Sequence, residues 1–120
     1  MNDFSDSVPI FRQIISLIKR DVASGRLLPG DKILSIREMS KELKVNPNTV
    51  QRAYQELERE DITITQRGTG VFICESSEKI SLLKQELAQE YLKDFINNML
   101  SIGFDIKEIL KIIDEYSKSL

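Results

Sequence analysis

Apolar residues recur along this chain with two periods, and the change from one to the other marks out its elements. Ile10, Ile14, Leu17, Ile18 and Val22 return every three to four positions, the spacing that places side chains on one face of a helix of about 3.6 residues per turn. Pro9 suits the start of that helix and Gly25 its end. Leu28-Pro29-Gly30-Asp31 reads as a turn, since proline presets φ and glycine accepts a positive one. A short stripe follows at Ile36, Met39, Ser40 and Leu43, with Ser35 as its cap and Glu38 at the spacing of a reciprocal capping box. Asn46 and Pro47 repeat the start signal almost at once, as N-cap and first helical residue. Val50, Ala53, Tyr54 and Leu57 then form the cleanest stripe in the chain. Two helices broken by so short a turn predict a helix-turn-helix.

Beyond Glu60 the period falls to two. Ile62-Thr63-Ile64-Thr65 alternates apolar and polar, Thr69-Gly70-Val71-Phe72-Ile73 does so less cleanly, and Gln66-Arg67-Gly68 lies between them, which predicts a hairpin. Its tip carries one arginine flanked by small residues, so the backbone can approach a surface closely and the guanidinium can enter a groove. From about Ser76 a Ser-Ser-Glu-Lys link precedes a long helical stripe of Ile80, Leu83, Leu87, Tyr91, Phe95 and Met99, widened by Leu92, Ile96 and Leu100. Ser101-Ile102-Gly103 ends it. Asp105 and Glu108 form a second capping box, and Ile106, Ile109, Leu110, Ile113 and Tyr116 line a last helix. The predicted fold is therefore mainly α with a small β-hairpin wing: a winged helix-turn-helix domain over residues 1–75 and a helical hairpin over 76–120.

Two helices with such wide apolar faces cannot bury them unaided, so they need either the winged domain or a second copy of the chain. The winged domain closes its own core. The hairpin is thus expected to be a dimerisation appendage, through Leu83, Leu87, Tyr91, Phe95, Met99, Ile106, Ile109, Leu110 and Ile113.

The outer face of the helix that begins at Pro47 carries the candidate chemistry. At about 100° per residue, Asn48, Arg52, Gln55 and Arg59 point most nearly away from its apolar stripe, with Thr49 and Gln51 on the flanks. Amides can pair with adenine edges, a guanidinium with guanine or phosphate, and a threonine methyl with a thymine methyl. Any amphipathic helix also presents a polar face to water. Composition favours the DNA reading, because asparagine and threonine are mediocre in helix interiors but suited to base edges.

Residues 9–74 resemble the winged-helix domain of the GntR family of bacterial transcription regulators, and especially its short YtrA-like branch. The resemblance is carried by Pro9-Ile10-Phe11-Arg12-Gln13-Ile14, the segment Gly25 to Lys32, Ser35-Ile36-Arg37-Glu38, the segment Val45 to Tyr54, and Arg67-Gly68-Thr69-Gly70, in fixed order over about half the chain. Two positions depart from the family pattern: Leu34 stands where proline is usual, and Asp61 where glycine is usual after the recognition helix. The resemblance implies that Arg37 contacts DNA, against the alternative of an ion pair with a nearby carboxylate, and that Arg67, Gly68 and Thr69 form a DNA-contacting wing tip. The expected contact set is Ser35, Arg37, Asn46, Asn48, Thr49, Gln51, Arg52, Gln55, Arg67, Gly68 and Thr69. It also implies a homodimeric regulator, most often a repressor acting by occlusion, with a double-stranded operator of two half-sites as partner and control of a transporter operon as one outcome.

Charge and composition trim the alternatives. The formal net charge of −2 does not advertise nucleic-acid binding, so any basic surface must be local. Between Arg37 and Arg52 the cations Arg37, Lys41, Lys44 and Arg52 outnumber Glu38 and Glu42. Arg12, Lys19 and Arg20 on the first helix read as solvated or as phosphate contacts. With no histidine and one cysteine, the common zinc patterns, a neutral-pH switch and the Ser-His or Cys-His nucleophile pairs are excluded, and Cys74 reads as a small buried hydrophobe. No enzyme activity, cofactor or metal is expected. The polar, acidic start and the lack of a long apolar run point to a cytoplasmic chain without a membrane span.

Two rival readings stand beside the regulator. A winged helix can serve as a protein-interaction or scaffold module, and the mild acidity favours that. The Asn-Pro-Asn-Thr-Val-Gln-Arg-Ala-Tyr block also occurs in regulators fused to aminotransferase-like domains, but no lysine-bearing cofactor domain follows here, so pyridoxal phosphate is not expected. A small-molecule effector, if there is one, has the helix pair as its natural site.

Overall fold

The computed structural model describes residues 7–120. Its elements in order are α1 (Ile10–Ser24), β1 (Lys32–Ile33), α2 (Ile36–Leu43), α3 (Pro47–Arg59), β2 (Thr63–Gln66), β3 (Gly70–Ile73), α4 (Ser77–Ser101) and α5 (Ile106–Ser117). The described chain divides into two compact units, one running to Lys84 and the other from Gln85 to Leu120, with the division inside α4.

In the first unit α3 packs against α1, α2 and β2. Its stripe is the centre of the core: Val50, Ala53 and Leu57 are fully buried and Tyr54 nearly so, beside Ile14, Ile18 and Val22 of α1. Ile15 joins that face in place of Ile10, which lies in the first turn of α1 and is 40 % exposed. Gly25 caps α1 in the left-handed conformation, and Ser35 and Glu38 form the reciprocal capping box that starts α2. Asn46 caps α3 with Pro47 at its first position. Cys74 is buried, as a small hydrophobe would be.

The sheet is a three-stranded antiparallel one in the order β1-β3-β2. The strand β1 has no signature in the sequence, because two residues cannot display a period. It forms because the outer edge of β3 needs backbone partners: Lys32 stands opposite Phe72 and Ile33 opposite Val71, and the Ile73 N–H donates to the Asp31 carbonyl at 2.8 Å. Ile33 also contributes a buried side chain.

The hairpin departs from the alternation expected of residues 62–65. Ile62 and Thr63 are buried and Ile64 is 48 % exposed. Ile62 stands before the strand, in the bend that follows α3, so the period of two starts at Thr63. Thr63 lies opposite the fully buried Ile73, while Ile64 lies opposite Phe72 on the other face. The Thr63 hydroxyl is thereby buried without a hydrogen-bond partner among the described residues.

Helix α4 starts earlier than the apolar stripe indicates. Ser76 accepts the Lys79 N–H at 3.1 Å, so the expected link supplies the cap and first turn of the helix. In the second unit, α5 begins at the Asp105 and Glu108 capping box. Leu87 and Ile109 are buried, whereas Tyr91, Leu92, Phe95, Leu100, Ile106, Leu110, Ile113 and Tyr116 are exposed. Among the described residues no helix is long and apolar enough to cross a membrane.

Candidate nucleic-acid interface

The turn between α2 and α3 is held by Ser40, whose place on the inner stripe is thereby explained. Its hydroxyl donates to the Val45 carbonyl at 2.6 Å, and the Val45 N–H donates to the Ser40 carbonyl at 3.1 Å. Lys44 closes α2 in the left-handed conformation at φ 56°. Tyr54, on the buried face of α3, donates its hydroxyl to the Leu34 carbonyl at 2.7 Å. Helix α3 and the turn before it are thus tied to both ends of α2, and the exposed residues of the two helices are carried on one scaffold.

Ser35 and Asn46 have structural duties. The Ser35 hydroxyl accepts the Glu38 N–H at 3.1 Å, and the Asn46 side-chain oxygen accepts the Asn48 N–H at 2.8 Å. What they retain for a partner is donors, the Ser35 hydroxyl proton and the Asn46 amide N–H groups. Glu38 answers the cap by accepting the Ser35 N–H at 2.9 Å. That backbone bond, then the Ser35 hydroxyl and more weakly the Lys32 charge, hold its carboxyl below the ordinary range.

Asn48, Gln51, Arg52 and Gln55 are exposed along α3, with Thr49 half-buried beside them. Asn48, Thr49 and Arg52 line a shallow concavity together with Ile10 and Phe11 of α1. Arg37 is exposed in the first turn of α2, outside that concavity. No carboxylate among the described residues pairs with Arg37, Arg52 or Arg67. The ion pair weighed as the alternative role of Arg37 does not form. Other cations are engaged: Lys19 meets Glu60 at 2.9 Å, and Arg59, near the C-terminal end of α3, is paired with Glu56. The Glu56 bond holds the Arg59 guanidinium more firmly protonated and lowers the Glu56 carboxyl in turn. Among these cations, Arg37, Arg52 and Arg67 are the ones left without a carboxylate partner among the described residues.

The wing turn is Arg67-Gly68-Thr69, closed by the Thr69 N–H on the Gln66 carbonyl at 2.9 Å. All three residues are exposed, and Gly68 takes φ 78°, a left-handed conformation that most side chains resist. Lys32 enters the same region from β1. A Cβ on Gly70 would stand 2.6 Å from the Lys32 Cε, so this glycine, at φ 143°, leaves the groove along which the lysine runs toward the wing. Neither the place of Lys32 beside Gly70 nor that of Phe11 beside Arg52 is recognisable from spacing. Phe11 lies in a stretch that the family resemblance already includes, but only the packing of α1 on α3 brings it beside Arg52.

Residues 11–73 match the family described as bacterial regulatory proteins, gntR family. The chain is 43% identical over 117 residues to YhcF of Bacillus subtilis (strain 168), named an uncharacterized HTH-type transcriptional regulator, covering 98% of this chain and 97% of that one. It is 39% identical over 117 residues to YtrA of the same organism, named an HTH-type transcriptional repressor, covering 96% and 89%. Among solved structures, a GntR family transcriptional regulator from Listeria monocytogenes superposes with a TM-score of 0.86 at 38% identity, over 93% of this chain and 98% of that chain.

Proposed function

The chain belongs to the GntR family of bacterial transcription regulators and is a DNA-binding regulator of that kind, and from that premise we propose that it is a cytoplasmic homodimeric repressor that acts by occupying an operator of two half-sites. The observation that carries the reading is that the guanidinium groups of Arg37, Arg52 and Arg67 are exposed and meet no carboxylate among the described residues, while Asn48, Gln51 and Gln55 are exposed along α3. Residues 1–75 bind DNA. Asn48, Gln51 and Gln55 offer amides to base edges, Thr49 offers a methyl group, and Arg37 with the wing tip holds the phosphate backbone. Ser35 and Asn46 hold the two helix starts and present their remaining donors to the same surface.

Residues 76–120 form the dimer interface. Tyr91, Phe95, Ile106, Leu110 and Ile113 are exposed and Met99 is half-buried, and large apolar side chains left open to water in such number mark a surface for a partner. Leu83, Leu87 and Ile109 are already buried within the single chain. Linking two half-site contacts multiplies modest affinities. Repression agrees with the name of the YtrA relative; occlusion is the proposed mechanism, and a transporter operon is the proposed target class.

Selection of bound duplexes from a random pool, with sedimentation of the free chain, tests this. Two inverted half-sites about 34 Å apart, centre to centre, are expected. No enrichment, or binding without salt dependence, would favour the scaffold reading. A monomer at micromolar concentration that still bound a two-half-site duplex at full strength would refute the dimer.

A further inference from the structure

Phe11 stands at the start of α1, outside the expected contact set, yet two guanidinium groups lie near its ring. The Arg52 guanidinium carbon lies 3.8 Å from the ring centroid and that of Arg12 lies 5.1 Å from it. Both are inside the roughly 6 Å over which a cation is attracted to an aromatic face. Arg52 is the closer and belongs to the recognition helix. The two helices that carry the pair are held together, because α1 packs on α3 and Ile14, Ile18, Val50 and Ala53 are buried.

No carboxylate among the described residues competes for Arg52, so the ring is the neighbour that selects its rotamer. Stacking engages the face of a guanidinium and leaves its in-plane N–H groups free. The orientation of that plane decides whether two parallel N–H groups can meet guanine or a phosphate. An unstacked arginine would have to find that orientation on binding, at a cost in side-chain entropy.

We propose that Phe11 is a positioning residue for Arg52: it holds the guanidinium plane ready for DNA, so the recognition surface begins on the first helix. Arg12 adds positive charge at the same ring without occupying the closer stacking position. The inference rests on α3 being the DNA-reading helix, and its test separates the two.

In the free full-length chain, the ring current of Phe11 shifts the Arg52 side-chain proton signals. Those shifts are expected to vanish in Phe11→Leu and to persist in Phe11→Tyr, which keeps a ring. Affinity for the duplex enriched from a random pool is then measured for the wild type, both Phe11 variants, Arg52→Ala and the double variant Phe11→Leu with Arg52→Ala. Phe11→Leu is expected to weaken binding about two- to fivefold, the size of an exposed cation–aromatic contact, and to relax preference at the base pair that Arg52→Ala affects. Phe11→Tyr should bind like the wild type, and Phe11→Leu should change nothing once Arg52 is alanine. Equal losses in both backgrounds, or wild-type Arg52 signals without ring-current shifts, overturn the inference while leaving DNA reading by α3 intact. A wild-type chain that binds no duplex overturns both.

Discussion

Replacing Tyr54 with phenylalanine isolates one bond on which the geometry of the helix-turn-helix depends. Tyr54 is 5 % exposed, and its hydroxyl donates at 2.7 Å to the carbonyl of Leu34, the residue before the α2 cap. The variant keeps the ring and nearly all the buried apolar area, so the hydrophobic contribution changes little and the hydrogen bond decides the outcome. Such a bond is worth about 0.5–1.5 kcal/mol net, and stranding a fully buried acceptor would add about 1–3 kcal/mol. Leu34 is 41 % exposed, which gives its carbonyl a route to water, and the smaller figure wins. The expected loss is about 1 kcal/mol, or about 4–8 °C in melting temperature for a domain of this size.

The phenol also predicts a pH dependence. Burial, with the Glu38 charge as the second cause, pushes the Tyr54 hydroxyl above its ordinary value of 10.0. The folded state therefore keeps the proton that the unfolded chain releases, so the native state loses stability as pH rises beyond about 10, and the loss is absent below it. Phenylalanine removes that dependence. Thermal unfolding followed by circular dichroism, at one protein concentration and at neutral and alkaline pH, measures both effects. Equal midpoints at neutral pH, or an alkaline loss in Tyr54→Phe as steep as in the wild type, would refute the assignment.

Other substitutions probe separate parts of the molecule. Ser35→Ala removes the capping hydroxyl and should cost about 1 kcal/mol in chemical denaturation. It should also weaken the stabilisation that lowered Glu38 supplies above its ordinary pKa of 4.5, a contribution lost as pH falls through the folded value. Thr63→Val replaces the buried, unpartnered hydroxyl with a methyl of similar shape and should stabilise the protein by about 1 kcal/mol; a lower melting temperature would show that the hydroxyl has a partner. Arg37→Ala and Arg67→Ala should each weaken DNA binding and lower the slope of log affinity against log salt by about one, and unchanged slopes would remove them from the phosphate contacts. Phe95→Asp places a charge in the proposed dimer surface and should shift sedimentation toward monomer and weaken binding to a two-half-site duplex.

Most of the scaffold was legible because its signals are local. The capping box at Ser35 and Glu38, the Asn46-Pro47 start, the stripe of Val50, Ala53, Tyr54 and Leu57, and the second box at Asp105 and Glu108 depend on residues within about one or two helical turns of each other. Local hydrogen bonds and helical period are written in neighbouring positions, and the structure bears all of them out. The family, and with it the winged helix, was likewise readable from short motifs in order.

What the chain does not display locally was decided by packing. Asp61 occupies the left-handed region at φ 59°, so the position keeps the conformation usual for glycine although the residue differs. The strand β1 exists because β3 has an edge to satisfy, and the inward turn of Thr63 follows from where the strand begins after α3 rather than from the alternation of its letters. Arg52 was placed on the outer face of its helix by period alone, but its partner Phe11 is 41 positions away in the chain and reaches it only because α1 crosses α3. Period tells which way a side chain leaves its helix; the neighbour that holds it there comes from another element, and only the tertiary structure supplies it.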